Sequence, residues 1–148
     1  VDLNSAGVDQ VASEINAQGL TAQGAALDIS NQVAVMELIS NLAKKHNRID
    51  ALVNSAGIVG QSNVKIEDLD WSTFERTIQV NLYGAIWLTQ QIIPHMKKQA
   101  YGRIVHLASI AGKEGNPGPT GPAGMNLIYQ QQSSLFNDHW TNTSIYML

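Results

Sequence analysis

Two runs of this chain, IDALVNSAG at 49–57 and GRIVHLAS at 102–109, begin apolar and stop abruptly at small or polar residues. Each reads as a buried strand breaking into a turn, and the residues around them have the period of a helix. Val8, Val11, Ala12 and Ile15 recur at i, i+3, i+4 and i+7, with Gly19 as the stop. TAQGAALDIS (21–30) reads as a short strand ending at Asp28. Residues 31–47 read as a second helix, with Val35, Leu38, Ile39 and Leu42 inward and Lys44 and Lys45 complementing the dipole at its end. A third helix is expected over 67–82, with Trp71, Phe74, Ile78 and Leu82 inward. A fourth follows Gly84 through Leu88, Ile92 and Met96, with a kink at Pro94. Strands alternating with helices predict an α/β fold with a parallel sheet. Because the strands are apolar rather than alternating, both sheet faces are expected to be covered.

Composition narrows the function. The chain has 148 residues, enough for one core, and a net charge of −3, which gives nucleic acid no electrostatic reason to bind. No apolar run approaches the ~20 residues of a spanning helix, so no membrane partner is expected. Zero Cys excludes disulfides and thiolate chemistry. His46, His95, His106 and His139 show no metal-ligand spacing and read as surface or packing residues. These features suit a soluble cytoplasmic protein. The chain opens on VDLN, as if partway through a longer protein, and after Glu114 its only formally charged side chain is Asp138. GNPGPTGPAG (115–124) has the triplet rhythm of collagen, but three triplets are too short for a triple helix, and a Gly/Pro-rich loop is expected. The residues after it show no sustained period and are assigned no element.

In open parallel sheets, ligands bind beyond the carboxyl ends of the strands. Asp2, Asp28, Asn54–Gly57 and Ser109 stand at such ends. An acidic residue like Asp2 could accept hydrogen bonds from a ribose diol and disfavour a 2′-phosphate. The small residues of NSAG would let a flat cofactor lie close to the backbone, and Ser109 could hydrogen-bond a substrate carbonyl. Simpler readings stand beside these. Asp2 could be an exposed terminal residue, Asn54–Gly57 an ordinary turn, and Ser109 a small strand-end residue. Ser30 or Asn31 could cap a helix after Asp28, and Asn81 could end one.

Together, NSAG after an apolar strand, VNLYGA with Asn81, and GRIVHLASIAGKEGNPG ending its strand at Ser109 resemble the short-chain dehydrogenase/reductase family, from Val1 to about Gly118. The resemblance implies a Rossmann-type doubly wound sheet, here a partial one lacking its first strand and glycine-rich turn. It also implies hydride transfer between NAD(P) and a secondary alcohol or ketone, and a homodimer or homotetramer. Carried over, Asp2 would hold the adenosine ribose, favouring NAD over NADP. Asp28 and Ile29 would flank the adenine. Asn54, Ala56 and Gly57 would line the cofactor, with Ser55 replacing the family's second Asn. Asn81 would be the helix-kink Asn whose backbone holds a relay water, and Ser109 the catalytic Ser. The SIAGKEGNPG loop resembles those of members acting on sugar acids or 3-oxoacyl thioesters.

The family's Y-x-x-x-K pair, in which Tyr is the general acid/base and Lys lowers its pKa, has no counterpart. Tyr83, Tyr101 and Tyr129 are followed at i+4 by Trp87, Val105 and Ser133, Tyr146 is too near the end, and no Lys or Arg follows Lys113. The chain is therefore expected to comprise a partial dinucleotide-binding domain (1–118) and a divergent tail (119–148). In a shifted frame with permitted codons, QQQSSL (130–135) gives Ala-Ala-Val-Ile-Ala, a run like that after the family's Tyr-Lys pair, so the tail is read as out of frame. The alternative function is a non-catalytic chain whose helices at 67–99 pair with a partner.

Overall fold

The computed structural model describes residues 1–61, 64–108 and 143–147. The expected α/β architecture is present. Helix α1 spans Ser5–Ala17 and α2 Gln32–His46, followed by strand β1, Ala51–Asn54. Helices α3 (Trp71–Ile78) and α4 (Ala85–Lys98) precede β2, Gly102–His106, and a third strand, β3, spans Thr143–Met147. The sheet order is β1-β2-β3 and both pairings are parallel. Asn54 lies opposite His106 at the carboxyl end of the first pair.

Local chemistry sets the helix ends. The Asn4 side chain accepts from the Gly7 amide to cap α1, and Asn31, not Ser30, does the same for α2 through Ala34. Gly19 follows α1 at a φ of 80°, a left-handed conformation that costs glycine nothing. Asp70 caps α3, accepting from the amides of Ser72 and Thr73. The helix expected from residue 67 therefore starts at Trp71, after a single 3-10 turn at Ile66–Asp68.

The core lies between α2, α4 and the sheet. Val35 and Ile39 of α2 meet Leu88, Ile92 and Met96 of α4 and Ile104 of β2, with Leu27, Ile29 and Val80 completing the cluster. Each such side chain contributes about 1.5–3 kcal/mol by leaving water. Gly102 allows the closest approach, since a Cβ there would stand 2.8 Å from the Met96 Cβ.

The structure corrects several expectations. Residues 21–30 form no strand; Asp2 and Ala26 make a single parallel bridge, in which the Leu27 amide donates to the Asp2 carbonyl at 2.9 Å. One pair of neighbours is too little to propagate a ladder. The sheet is not covered on both faces among the described residues. In β1, Leu52 and Asn54 turn toward the helices, while Ala51 and Val53 are exposed. Helix α1 buries none of its residues, and its Val8 and Ile15 line an open cavity of about 510 Å³ shared with Ala22. Trp71, expected inward, is 67% exposed, because it stands at the first position of α3, beyond the core. The unassigned tail includes β3, whose β-branched and aromatic residues suit a strand without showing a period. The Gly/Pro-rich loop lies outside the described residues.

Candidate functional site

The third and fourth helices are not separate. Residues 71–98 run on as helix, and Gln79–Gly84 between α3 and α4 is a π-helical turn. Such a turn loosens the regular i to i−4 ladder within an unbroken helix, and is often found at functional sites. Asn81 sits inside it, so this residue does not end a helix. Its side chain instead reaches the loop after β1: Oδ1 accepts from the Ile58 amide at 2.8 Å, and Nδ2 donates to the Ile58 carbonyl at 2.9 Å. One carboxamide thus satisfies both backbone groups of a loop residue that no strand partner serves.

The turn between these points begins at Asn54, which is buried. Its Oδ1 accepts from the Ala56 amide at 3.2 Å, closing the turn, and its Nδ2 faces His106 Nδ1 at 3.3 Å. Ser55, Ala56 and Gly57 are exposed. The result is a ledge of small residues at the carboxyl end of a parallel strand, held at Asn54 on one side and at Ile58 on the other. A Cβ at Gly57 would reach no closer than 3.5 Å to Asn81, so the ledge is open in front rather than crowded from behind. A flat ring could lie against it.

Asp28 and Ile29 occupy a second ledge. Asp28 Oδ1 accepts from the Ser30 amide at 2.9 Å and the Ser30 hydroxyl at 2.6 Å, and Oδ2 accepts from Arg76 of α3 at 3.0 Å. Arg76 also donates to the Ser30 hydroxyl. The Ser30 hydroxyl above all, with Arg76, holds the Asp28 carboxyl below the usual carboxylate range. Ile29 is buried beside Gly84 of the π turn; a Cβ there would lie 2.7 Å from Ile29 Cδ1 and 3.1 Å from its carbonyl. Helix 71–98 therefore touches both ledges, through Arg76 and Gly84 at one and Asn81 at the other. Asp2 is exposed and its Oδ1 accepts from the Asn4 amide at 3.0 Å. Ser109 lies outside the described residues.

Sequence reasoning missed Arg76, Thr89 and His106. His106, which read as a surface or packing residue, is 1% exposed and hydrogen-bonded at both ring nitrogens, with Nε2 at 3.0 Å from Thr89 Oγ1. Burial pushes its imidazole below the ordinary value, so the ring is held neutral. The signal was an ionisable residue inside an apolar strand, which must find partners. Thr89, next to Leu88 on the inward stripe of α4, gave the matching hint.

Comparison with known proteins agrees with this architecture. The sequence model of the family described as short chain dehydrogenase matches residues 1–121. The chain is 38% identical over 116 residues to a 2-dehydro-3-deoxy-L-rhamnonate dehydrogenase (NAD(+)) of Sphingomonas sp. (strain SKA58), covering 78% of this chain and 45% of that one. It is 34% identical over 122 residues to a 3-oxoacyl-(acyl-carrier-protein) reductase of Thermotoga maritima, covering 80% and 48%. The chain thus spans about half the length of the curated relatives it matches. The crystal structure of a 3-ketoacyl-ACP reductase from Sinorhizobium meliloti 1021 superposes with a TM-score of 0.83 at 27% identity, over 98% of this chain and 58% of that one. The fold is a partial Rossmann-type α/β sheet, and the chain belongs to the short-chain dehydrogenase/reductase family.

Proposed function

We propose that the two ledges form the nucleotide platform of an oxidoreductase that moves hydride between NAD and a secondary alcohol or ketone. The observation that carries this reading is the small-residue turn Asn54–Gly57, held at the carboxyl end of β1 by His106 and Asn81. In open parallel sheets that end is where nucleotides bind. The residues fit such a group: the turn is open and exposed, and Asp28 lies half-buried beside the buried Ile29. Bound there, the cofactor would supply the hydride donor or acceptor. This chain's residues would bind and orient it, with Asn54, Ala56 and Gly57 under one part and Asp28 and Ile29 beside the adenine. Asp2 would accept from the ribose diol, and its charge would repel a 2′-phosphate, favouring NAD over NADP. The name of the Sphingomonas relative, which specifies NAD(+), supports that preference. The relatives' names also support a sugar acid or a 3-oxoacyl thioester as substrate class.

Within this scheme Ser109 would orient the substrate oxygen, and the backbone at Asn81 would hold a water. The π turn supports the second role, because it leaves carbonyls outside the regular helical ladder. The polypeptide as written lacks a Tyr with Lys at i+4, so we expect nucleotide binding without turnover. The out-of-frame reading of 119–148 would account for that lack, and the family match, which ends at residue 121, supports it. The nucleotide sequence tests it: no dehydrogenase-like run in either alternative frame after codon 118 rules it out.

NADH binding followed by nicotinamide fluorescence, beside NADH oxidation with mixed ketones, tests the function. Saturable binding with no oxidation is expected; turnover would overturn the inactivity, and absent binding would overturn the platform. A second reading, a non-catalytic chain pairing through the helices at 67–99, is favoured by the exposure of Trp71 and Tyr83. It predicts self-association or partner binding that survives Trp71→Ala no better than it survives loss of the whole helix face. In the enzyme reading, the chain would assemble as a homodimer or homotetramer.

A further inference from the structure

The cofactor ledge hangs from a buried chain of hydrogen bonds whose direction is fixed at both ends. At one end the Ala56 amide can only donate, so the atom it meets at 3.2 Å is Asn54 Oδ1. The Asn54 Nδ2 therefore faces His106, and since an amide nitrogen only donates, His106 Nδ1 accepts at 3.3 Å. The proton of a neutral ring then sits on Nε2 and is donated to Thr89 Oγ1 at 3.0 Å. The Thr89 hydroxyl in turn donates to the Ala85 carbonyl at 2.8 Å, an acceptor that ends the chain. Asn54, His106 and Thr89 are each at least nine-tenths buried, so no water can substitute for a mispaired member without opening the core. Reversing any link would set two donors, or two acceptors, against each other in a dry site, at substantial cost.

We propose that Thr89 and His106 are positioning residues: through Asn54 they fix the Ala56 amide, and with it the shape of the Asn54–Gly57 turn that binds nucleotide. The functional part rests on the nucleotide-platform reading above; the positioning of Ala56 does not. Thr89 reaches no ligand position itself, being on the inner side of α4 beneath the sheet, and it acts only by selecting the ring tautomer. Thr89→Val keeps the shape and removes the hydroxyl. The ring then loses the Thr89 hydroxyl as an acceptor at Nε2, and the Nδ1–H form, which would confront Asn54 Nδ2, gains population.

The test uses the isotope-labelled 148-residue chain in solution. Long-range proton–nitrogen correlation at neutral pH should show His106 neutral with its proton on Nε2. Thr89→Val should move the Ala56 amide and Asn54 carboxamide resonances and weaken NADH binding by about fivefold, the weight of one net hydrogen bond. Thr89→Ser, which restores the hydroxyl, should return both toward wild type. A proton on Nδ1, or an Ala56 amide unmoved in Thr89→Val, overturns the proposal. A moved Ala56 with unchanged NADH affinity overturns its link to the cofactor. If wild type binds no NADH, the platform reading fails, while the tautomer and Ala56 resonances still decide the positioning. Should Thr89→Val not fold, the wild-type tautomer decides alone.

Discussion

Replacing Gly84 with Ala sets a helix preference against a packing limit, and the structure says which wins. Gly84 has φ −57° and ψ −44°, an ordinary helical backbone that Ala adopts without strain. On propensity alone the substitution would stabilise by about 1 kcal/mol. The added Cβ, however, would lie 2.7 Å from Ile29 Cδ1, 2.8 Å from Cγ1 and 3.1 Å from the Ile29 carbonyl oxygen, where carbon atoms prefer about 3.5–4.0 Å. The Cδ1 tip can rotate, but Ile29 is buried among the core residues and its Cγ1 and carbonyl have little room. Overpacking of this kind costs about 1–3 kcal/mol, so the net loss should lie in the range of about 0–2 kcal/mol once the propensity gain of about 1 kcal/mol is subtracted. Urea unfolding followed by circular dichroism measures it, with the slope unchanged and the midpoint lowered. A double-mutant cycle isolates the cause: in an Ile29→Ala background, Gly84→Ala should become neutral or stabilising. A Gly84→Ala protein more stable than wild type, or an undiminished loss in that background, would refute the reasoning. Because Ile29 is one of the proposed adenine contacts, NADH affinity should fall along with stability.

Four further outcomes are expected. Gly102→Ala, whose Cβ would meet the Met96 Cβ at 2.8 Å, should lower thermal stability by about 1–3 kcal/mol at the midpoint; a calorimetric midpoint equal to wild type would contradict the close approach. Asp70→Ala removes the α3 cap and should lower the urea-unfolding midpoint at neutral pH. The hydroxyls and amides of Thr73 and Ser72 lower the Asp70 carboxyl to about 2. Its contribution is therefore present above the unfolded value of 3.8 and lost as pH falls toward 2, so the two proteins' stabilities should converge in acid. His106 is held neutral by burial below its ordinary 6.5, so the unfolded chain binds more protons below that pH and stability rises with pH there. Stability measured from pH 7 down to 5 should fall more steeply for wild type than for His106→Gln; equal slopes would mean that the ring titrates normally. Arg76→Met should raise the Asp28 carboxyl toward its usual value in a carbon-detected titration, while the half-exposed ion pair costs no more than about 1 kcal/mol.

Much of the fold was legible because helices announce themselves locally. The stripes through Val35 and Ile39, and through Leu88, Ile92 and Met96, were visible as residues four apart on one helix face and form the core found. Capping was half legible: Asn31 was among the caps foreseen, Asn4 and Asp70 were not. The strand at 21–30 was misread because its apolar residues suit a ladder, and only the neighbours present decide whether one forms; Asp2 supplies a single bridge. The π turn was not legible in the periodicity, since Ile78 and Leu82 keep an ordinary fourfold spacing into it, although Asn81 within it was picked out by the resemblance. The positions of Asn54 and Asn81 were legible, but not their partners. His106 meets Asn54 through strand register and Thr89 through helix packing, both long-range facts. Arg76 likewise reaches Asp28 across a long sequence separation that no local pattern encodes.

The most direct test of the account is amide chemical-shift mapping of the 148-residue chain titrated with NAD. Saturable shifts concentrated at Asp28, Ile29, Ala56, Gly57 and Ile58, with Asp2 responding and with weaker shifts for NADP, are the predicted result. Shifts confined to other surfaces, or none at saturating nucleotide, would contradict the claim that these ledges form a nucleotide platform.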